Sequence, residues 1–168
     1  MSTMLFPVGR IRRTDTGYRG HLSRDLEHEA DAVWTMLTES AAMAQWLAPG
    51  SIQQQPGGAV RIDFADSGTV IDSSVTAFEP GRVLAYSWSS GDQPQRPLRW
   101  ELHPRGGGTR LELFVDVPAD EDIAKACAGF EGHLEMLATA LEGVPTRFPF
   151  DLFVQTRKTY AEQVARLG

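Results

Sequence analysis

The sequence predicts an α+β domain with helices segregated to one face of an antiparallel sheet, and three observations carry that prediction. Period-two alternation fills the middle of the chain, and a long stripe of helical period follows it. The breaks between alternating runs are short and turn-like, whereas parallel neighbours need a crossover of about a dozen residues or more. Strands that are close in sequence must therefore run antiparallel, and the helical stripe needs their apolar face to lie on.

Taken in order, residues 1–17 show no regular pattern and are read as an N-terminal arm, with Arg10, Arg12 and Arg13 as a solvated basic cluster. Tyr18 to Leu26 reads as the first strand, with Leu22 and Leu26 on one face and Arg24 between them at the same parity. Glu29 and Asp31 open a helix carrying Val33, Trp34 and Leu37. Ser40 is a suitable N-cap for a second short helix, Ala41 to Leu47, with Met43, Trp46 and Leu47 apolar. Pro49, Gly50, Pro56, Gly57 and Gly58 then supply turn chemistry.

Five alternating runs follow, marked by Val60-Ile62-Phe64, Ile71-Ser73-Val75-Ala77, Leu84-Tyr86-Trp88, Leu98-Trp100-Leu102 and Leu111-Leu113-Val115-Val117. With the first strand, which alone could bury nothing, they make a predicted six-stranded sheet. Asp120 to Leu141 reads as the long helix. Ile123, Cys127, Phe130, Leu134, Leu137 and Leu141 recur at steps of four and three, which aligns them on one stripe. Asp120, Glu121 and Asp122 complement the dipole at its start, and Gly143 and Pro145 end it. Gly129 and Gly132 each cost about 1 kcal/mol relative to alanine inside a helix, which predicts a close approach, read as helix-on-sheet packing. Residues 18–143 form the body. Residues 144–168 read as a linker and a further amphipathic helix, with Phe153, Thr156, Tyr160, Val164 and Leu167, packing on the same domain.

At 168 residues the chain suffices for one domain with its own core. Its net charge of −6, with both signs interspersed, argues against nucleic acid and anionic membranes, which attract basic patches. Cys127 is the only cysteine, so no internal disulfide forms, and its place on the apolar stripe predicts an inert buried thiol. Without a leader or a long apolar run, the expected location is cytoplasmic.

Signs of catalysis are sparse. His21, His28, His103 and His133 show no metal-site spacing to one another or to a carboxylate, and His-Glu-x-x-His and Gly-x-Ser-x-Gly are absent. Gly106 to Gly108 open a strand and suit a hairpin turn. No catalytic residue, metal or cofactor is assigned. Arg99 and Glu101 alternate with apolar neighbours and read as a solvated face. His133 stands beside the helical stripe, at the rim or facing the space between helix and sheet. Phe64, Tyr86, Trp88 and Trp100 fit two readings, a packed core or the lining of an apolar pocket.

Several local motifs sharpen the picture: Val33-Trp34-x-x-Leu37-Thr38 followed by Gln45-Trp46-Leu47, then Phe78-Glu79-Pro80-Gly81-Arg82-x-Leu84-x-Tyr86-x-Trp88. Gly108-Thr109-x-Leu111 and Gly129-Phe130-x-x-x-Leu134 complete the set. In this order they resemble the helix-grip fold of the START-like or Bet v 1-like (SRPBCC) superfamily, and within it bacterial relatives of the C-terminal domain of the Hsp90 ATPase activator. Phe130 departs from the pattern, since many relatives carry Trp there. The resemblance implies a curved sheet gripping the long helix, with two short helices after the first strand and a cavity that binds apolar molecules in many members. The expectation is non-catalytic binding of a small apolar ligand by Phe64, Tyr86, Trp88, Trp100, Phe130, His133 and Leu137, with Tyr86 and His133 supplying hydrogen bonds. Two alternatives stand beside it: a co-chaperone or partner-binding protein, and a cyclase- or hydrolase-like enzyme using His133 or Tyr86 as acid or base. The last helix could also pack on a second copy, giving a homodimer.

Overall fold

The computed structural model of the chain describes residues 8–65 and 67–167. In order the elements are β1 Arg10–Arg13, β2 Gly17–Leu26, α1 Ala30–Thr38, α2 Ser40–Met43, β3 Gly50–Ile52, β4 Ala59–Phe64, β5 Thr69–Glu79, β6 Val83–Ser87, β7 Pro97–Arg105, β8 Gly108–Pro118, α3 Ile123–Leu141 and α4 Phe150–Arg166. The strands form one antiparallel sheet in the order β1-β2-β8-β7-β6-β5-β4-β3.

Among the described residues the sheet therefore has eight strands, not the expected six, and there are four helices. Both extra strands lie at the edges and lack a readable alternation. In β1 only Ile11 is buried among three arginines, and the strand exists because Arg10 to Arg13 pair with His21 to Tyr18 of β2. In β3 there are three residues, Gly50 to Ile52, in a stretch whose proline and glycine content signals turns. A pattern needs several repeats to be visible, and edge strands need few. The first predicted strand is thereby interior, held between β1 and β8. Ser40 begins α2 as its first helical residue, with Glu39 at the N-cap position, because the chain turns one residue earlier than expected.

Alternation places the large side chains on one face. Leu22, Ile62, Leu84, Tyr86, Leu98, Trp100, Leu102, Leu111 and Leu113 are all buried there. A register shift between Val75 and Ala77 interrupts the β5–β6 pairing, a feature that bends a strand. Helix α3 crosses this face over β2 and β8, with Ile123, Cys127, Phe130, Leu134 and Leu137 buried beneath it. Its N-cap is Asp122, whose carboxylate accepts from the Lys125 backbone N–H at 3.1 Å.

The tight helix-on-sheet contact comes from a glycine on the sheet instead of those on the helix. A Cβ at Gly20 of β2 would stand 2.2 Å from Cys127 Sγ, so only glycine lets the helix settle. Gly132 receives the ring of Phe148 from the α3–α4 linker, 2.6 Å from where a Cβ would be, and Gly129 faces open space. The expectation of helix-on-sheet packing at these two positions is corrected accordingly.

Arg24, at the same parity as Leu22 and Leu26, is buried for an electrostatic reason. Its guanidinium pairs at 2.8 Å with Glu131 of α3, which is fully buried. Tyr160 of α4 donates its hydroxyl to Glu131 and accepts the Gly9 N–H at 2.8 Å. Burial, followed by the Glu131 carboxylate, pushes the Tyr160 hydroxyl pKa up, and the same two causes raise that of the Cys127 thiol. Gln163 completes the tie to β1, accepting from Ile11 N–H and donating to Gly9 O, each at 2.9 Å.

Candidate functional site

One side of α3 does not touch the sheet closely, and a groove of about 690 Å³ opens there. Asp122, Ala126, Gly129 and His133 form the helix wall, at steps of four, three and four, one strip round from the buried stripe. Ile71 of β5 and Val115 and Val117 of β8 form the sheet wall, and Phe64, Trp88 and Phe130 close one end. Arg96, Glu121 and Lys125 stand at the mouth with Phe153 of α4. The volume falls within the range of about 300–1,000 Å³ usual for small-molecule sites. A second depression, of about 550 Å³, lies between Asp25–Glu27 and the Arg105–Thr109 turn; it has no aromatic lining and no convergent side chains of the kind a ligand site uses.

The aromatic end is built edge to face. Trp88 meets Phe130 at 5.1 Å between ring centres and Phe64 at 5.8 Å, and Phe64 meets His133 at 5.9 Å. These separations suit the quadrupoles of the rings and hold them as a rigid apolar surface. His133 Nδ1–H donates to the Trp46 carbonyl at 2.9 Å, which fixes the neutral tautomer and leaves Nε2 as an acceptor. No described residue partners Nε2. Burial lowers the His133 pKa, against the upward pull of the Trp46 bond, so the ring is neutral at pH 7.

Of the seven residues singled out from the sequence, Phe64, Trp88, Phe130 and His133 come together around the groove. Tyr86, Trp100 and Leu137 lie in the packed layer behind it, each almost wholly buried. Trp100 packs its edge on Trp46 at 5.8 Å and on Phe130 at 6.3 Å, backing the groove without lining it. Burial drives the Tyr86 hydroxyl pKa up, a hydrogen bond with Trp100 opposing it, so the phenol stays protonated.

The mouth was not anticipated. Arg96 grips Glu121 with two bonds of 2.6 and 2.9 Å and reaches the Trp88 carbonyl at 3.3 Å, so the β6–β7 connection is pinned to the start of α3. Asp122 also accepts from Arg157 of α4 at 3.0 Å. In the sequence Glu121 signals only a dipole partner, and Arg96, inside the loop from Ser89 to Pro97, carries no signal. The helix wall did carry one, since small residues at Ala126 and Gly129 sit beside a large apolar stripe.

The sequence profile of the family described as Activator of Hsp90 ATPase homolog 1-like protein matches residues 27–142, more than half of the chain. The chain belongs to this family. Its SRPBCC-type fold recurs in solved structures. A conserved protein of unknown function, EF2215 from Enterococcus faecalis, is 18% identical with a TM-score of 0.80, over 95% of this chain and 92% of that one. CalU16 from Micromonospora echinospora is 18% identical with a TM-score of 0.76, over 94% and 96%. DynU16, a protein in the dynemicin biosynthetic locus, is 28% identical with a TM-score of 0.70, over 77% of this chain and 49% of its own. No curated protein matches the chain. Within this Hsp90-activator-homolog-like family, the matched stretch holds both walls and the aromatic end of the groove, while β1, β2 and α4 fall outside it. No helix among the described residues is long and apolar enough to cross a membrane.

Proposed function

We propose that this protein is a non-catalytic binder of one small, largely apolar molecule, held between the sheet and α3. The observation that carries the reading is the groove itself, where three aromatic rings meet one oriented acceptor, His133 Nε2. An apolar pocket with few convergent polar groups is the usual form of a site that encloses a ligand and fixes its orientation. A planar, ring-bearing molecule with a hydroxyl at its inner end fits this chemistry: its face stacks on one of the Trp88 and Phe130 rings and meets the edge of the other, and its O–H donates to His133. Lys125 at the mouth enters no ion pair among the described residues and suits a polar or anionic outer end. The likeness to DynU16, a protein of a biosynthetic locus, supports a ligand of biosynthetic origin.

The test is a thermal-shift screen with hydroxylated aromatic polycycles, isoprenoids and fatty acids, run on the wild type and on Gly129→Trp. Gly129 has open space where a side chain would begin, so the indole occupies the groove without displacing the core. A ligand at about 100 times its Kd should add about 2.7 kcal/mol of stability to the wild type and little to the variant. If no compound stabilises the wild type more than the variant, the reading fails.

A second reading, a partner-binding protein of Hsp90-activator type, draws on the family and on Phe150 and Val154, two strongly exposed apolar residues of α4. Phe150→Asp should abolish partner capture under that reading and leave the ligand-induced shift untouched.

A further inference from the structure

On the opposite face of the sheet, alternation along β7 and β8 puts Arg99, Glu101 and His103 beside Arg110, Glu112 and Phe114. Glu101 and Glu112 stand directly across from each other, a like-charge pair of the kind that destabilises a sheet, with Arg99 and Arg110 beside it offsetting part of the repulsion. His103 Nε2 lies 3.3 Å from Glu101 Oε1 and 3.0 Å from Glu112 Oε2. All three candidate donor atoms fall within 4.8 Å of one another. A zinc ion with donors at about 2.0–2.1 Å in tetrahedral geometry holds neighbouring donors roughly 3.3 Å apart, close to the two spacings from His103 Nε2.

Each carboxylate also has its second oxygen occupied. Arg99 Nε binds Glu101 Oε2 at 2.6 Å, and His21 Nε2 contacts Glu112 Oε1 at 3.0 Å. The His21 ring is stacked on Phe114, 4.4 Å between centres and 14° from parallel, which fixes its plane. Arg110 is turned toward the same outer oxygen of Glu112, at 3.9 Å, while also bonding Asp25 at 3.2 Å. Outer partners thus aim one oxygen of each glutamate at His103, the arrangement by which second-sphere bonds orient metal ligands.

We propose that Glu101, His103 and Glu112 bind a divalent transition-metal ion, with Zn²⁺ the ion that fits best, and that His21 is a positioning residue acting through Glu112. One imidazole with two carboxylates suits zinc and its neighbours, while calcium and magnesium favour larger all-oxygen shells. The fourth position is open to water. The partly buried side chains need only small rotations to close on an ion, and the ion would join β7 to β8 by their side chains. Nothing in the sequence marks this site, because its third ligand comes from a neighbouring strand whose register must be known.

Calorimetric titration of ZnCl₂ into the full chain, freed of metal by chelator and desalting, tests the proposal. The wild type should bind one ion per chain. His103→Ala should weaken binding by at least about 100-fold, and His21→Ala by about 10- to 100-fold, the usual effect of losing an outer partner. His28→Ala should leave it unchanged, since His28 faces Glu142 elsewhere, at 3.3 Å. As a readout independent of heat, zinc should shift the ¹⁵N imidazole signal of His103 in the wild type. Absence of saturable binding by the wild type, or equal binding by His103→Ala, overturns the proposal.

Discussion

Two stripes of the same period run side by side on α3, and their contents are opposite. Ile123, Cys127, Leu134 and Leu137 press into the sheet and leave no room, whereas Asp122, Ala126, Gly129 and His133 border the groove. Helix, strands and spacing are shared by both regions. The difference lies in side-chain volume on the two strips: Cys127, Leu134 and Leu137 fill the space against the sheet, and Ala126 and Gly129 leave the groove open beside them. The groove in this chain therefore depends on two small residues at Ala126 and Gly129.

Truncation should separate the two regions most sharply. Trp100→Ala, at a position 1% exposed in the solid part, should cost about 3–5 kcal/mol in urea unfolding. Trp88→Ala, on a half-buried groove residue, should cost clearly less stability but remove ligand-induced stabilisation. Equal losses of stability would erase the distinction. A smaller effect probes the two helix glycines. Gly129→Ala should raise stability by about 1 kcal/mol through helix propensity alone, since nothing stands within 4 Å of its new methyl group. Gly132→Ala should lose that gain because the methyl meets Phe148, and matching gains in both variants would refute the packing described.

The smallest effect is a pH dependence. Burial depresses the folded-state pKa of His133 below its ordinary 6.5, so between the two values the unfolded chain binds more protons. Its contribution to stability is present above 6.5 and is lost as pH falls through the lower folded value. The slope is at most about 1.4 kcal/mol per pH unit for a single group. Comparing thermal unfolding of wild type and His133→Gln from pH 7.5 to 5 should show a shallower decline in the variant. An identical decline would place His133 in a wetter setting than the one described.

The layers and the main stripe are legible in the sequence because Leu98-Trp100-Leu102 and Ile123-Cys127-Phe130 repeat often enough to reveal their period. Arg10–Arg13 and Gly50–Ile52 do not repeat, and their pairing depends on a partner strand instead of on their own pattern. Phe64 and Trp88 are legible in advance as aromatics on apolar strand faces, Phe130 as a member of the helical stripe and His133 as its polar neighbour. What kept Tyr86 and Trp100 behind the groove is three-dimensional: the turn after α2 delivers Trp46, whose ring packs on Trp100 and seals that end. The approach of Cys127 to Gly20 was hidden for the same reason, since it depends on two segments far apart in sequence.

The clasp between α4 and β1 has a bearing on how the molecule opens. The amides of Gly9 and Ile11 are held by the side chains of Tyr160 and Gln163, and Tyr160 also reaches into the interior to Glu131. The first strand, the last helix and the buried carboxylate thus share their fastenings. A fluctuation that lifts α4 must unzip the sheet's border and expose a charge together, so this corner loosens as one cooperative unit rather than by gradual fraying.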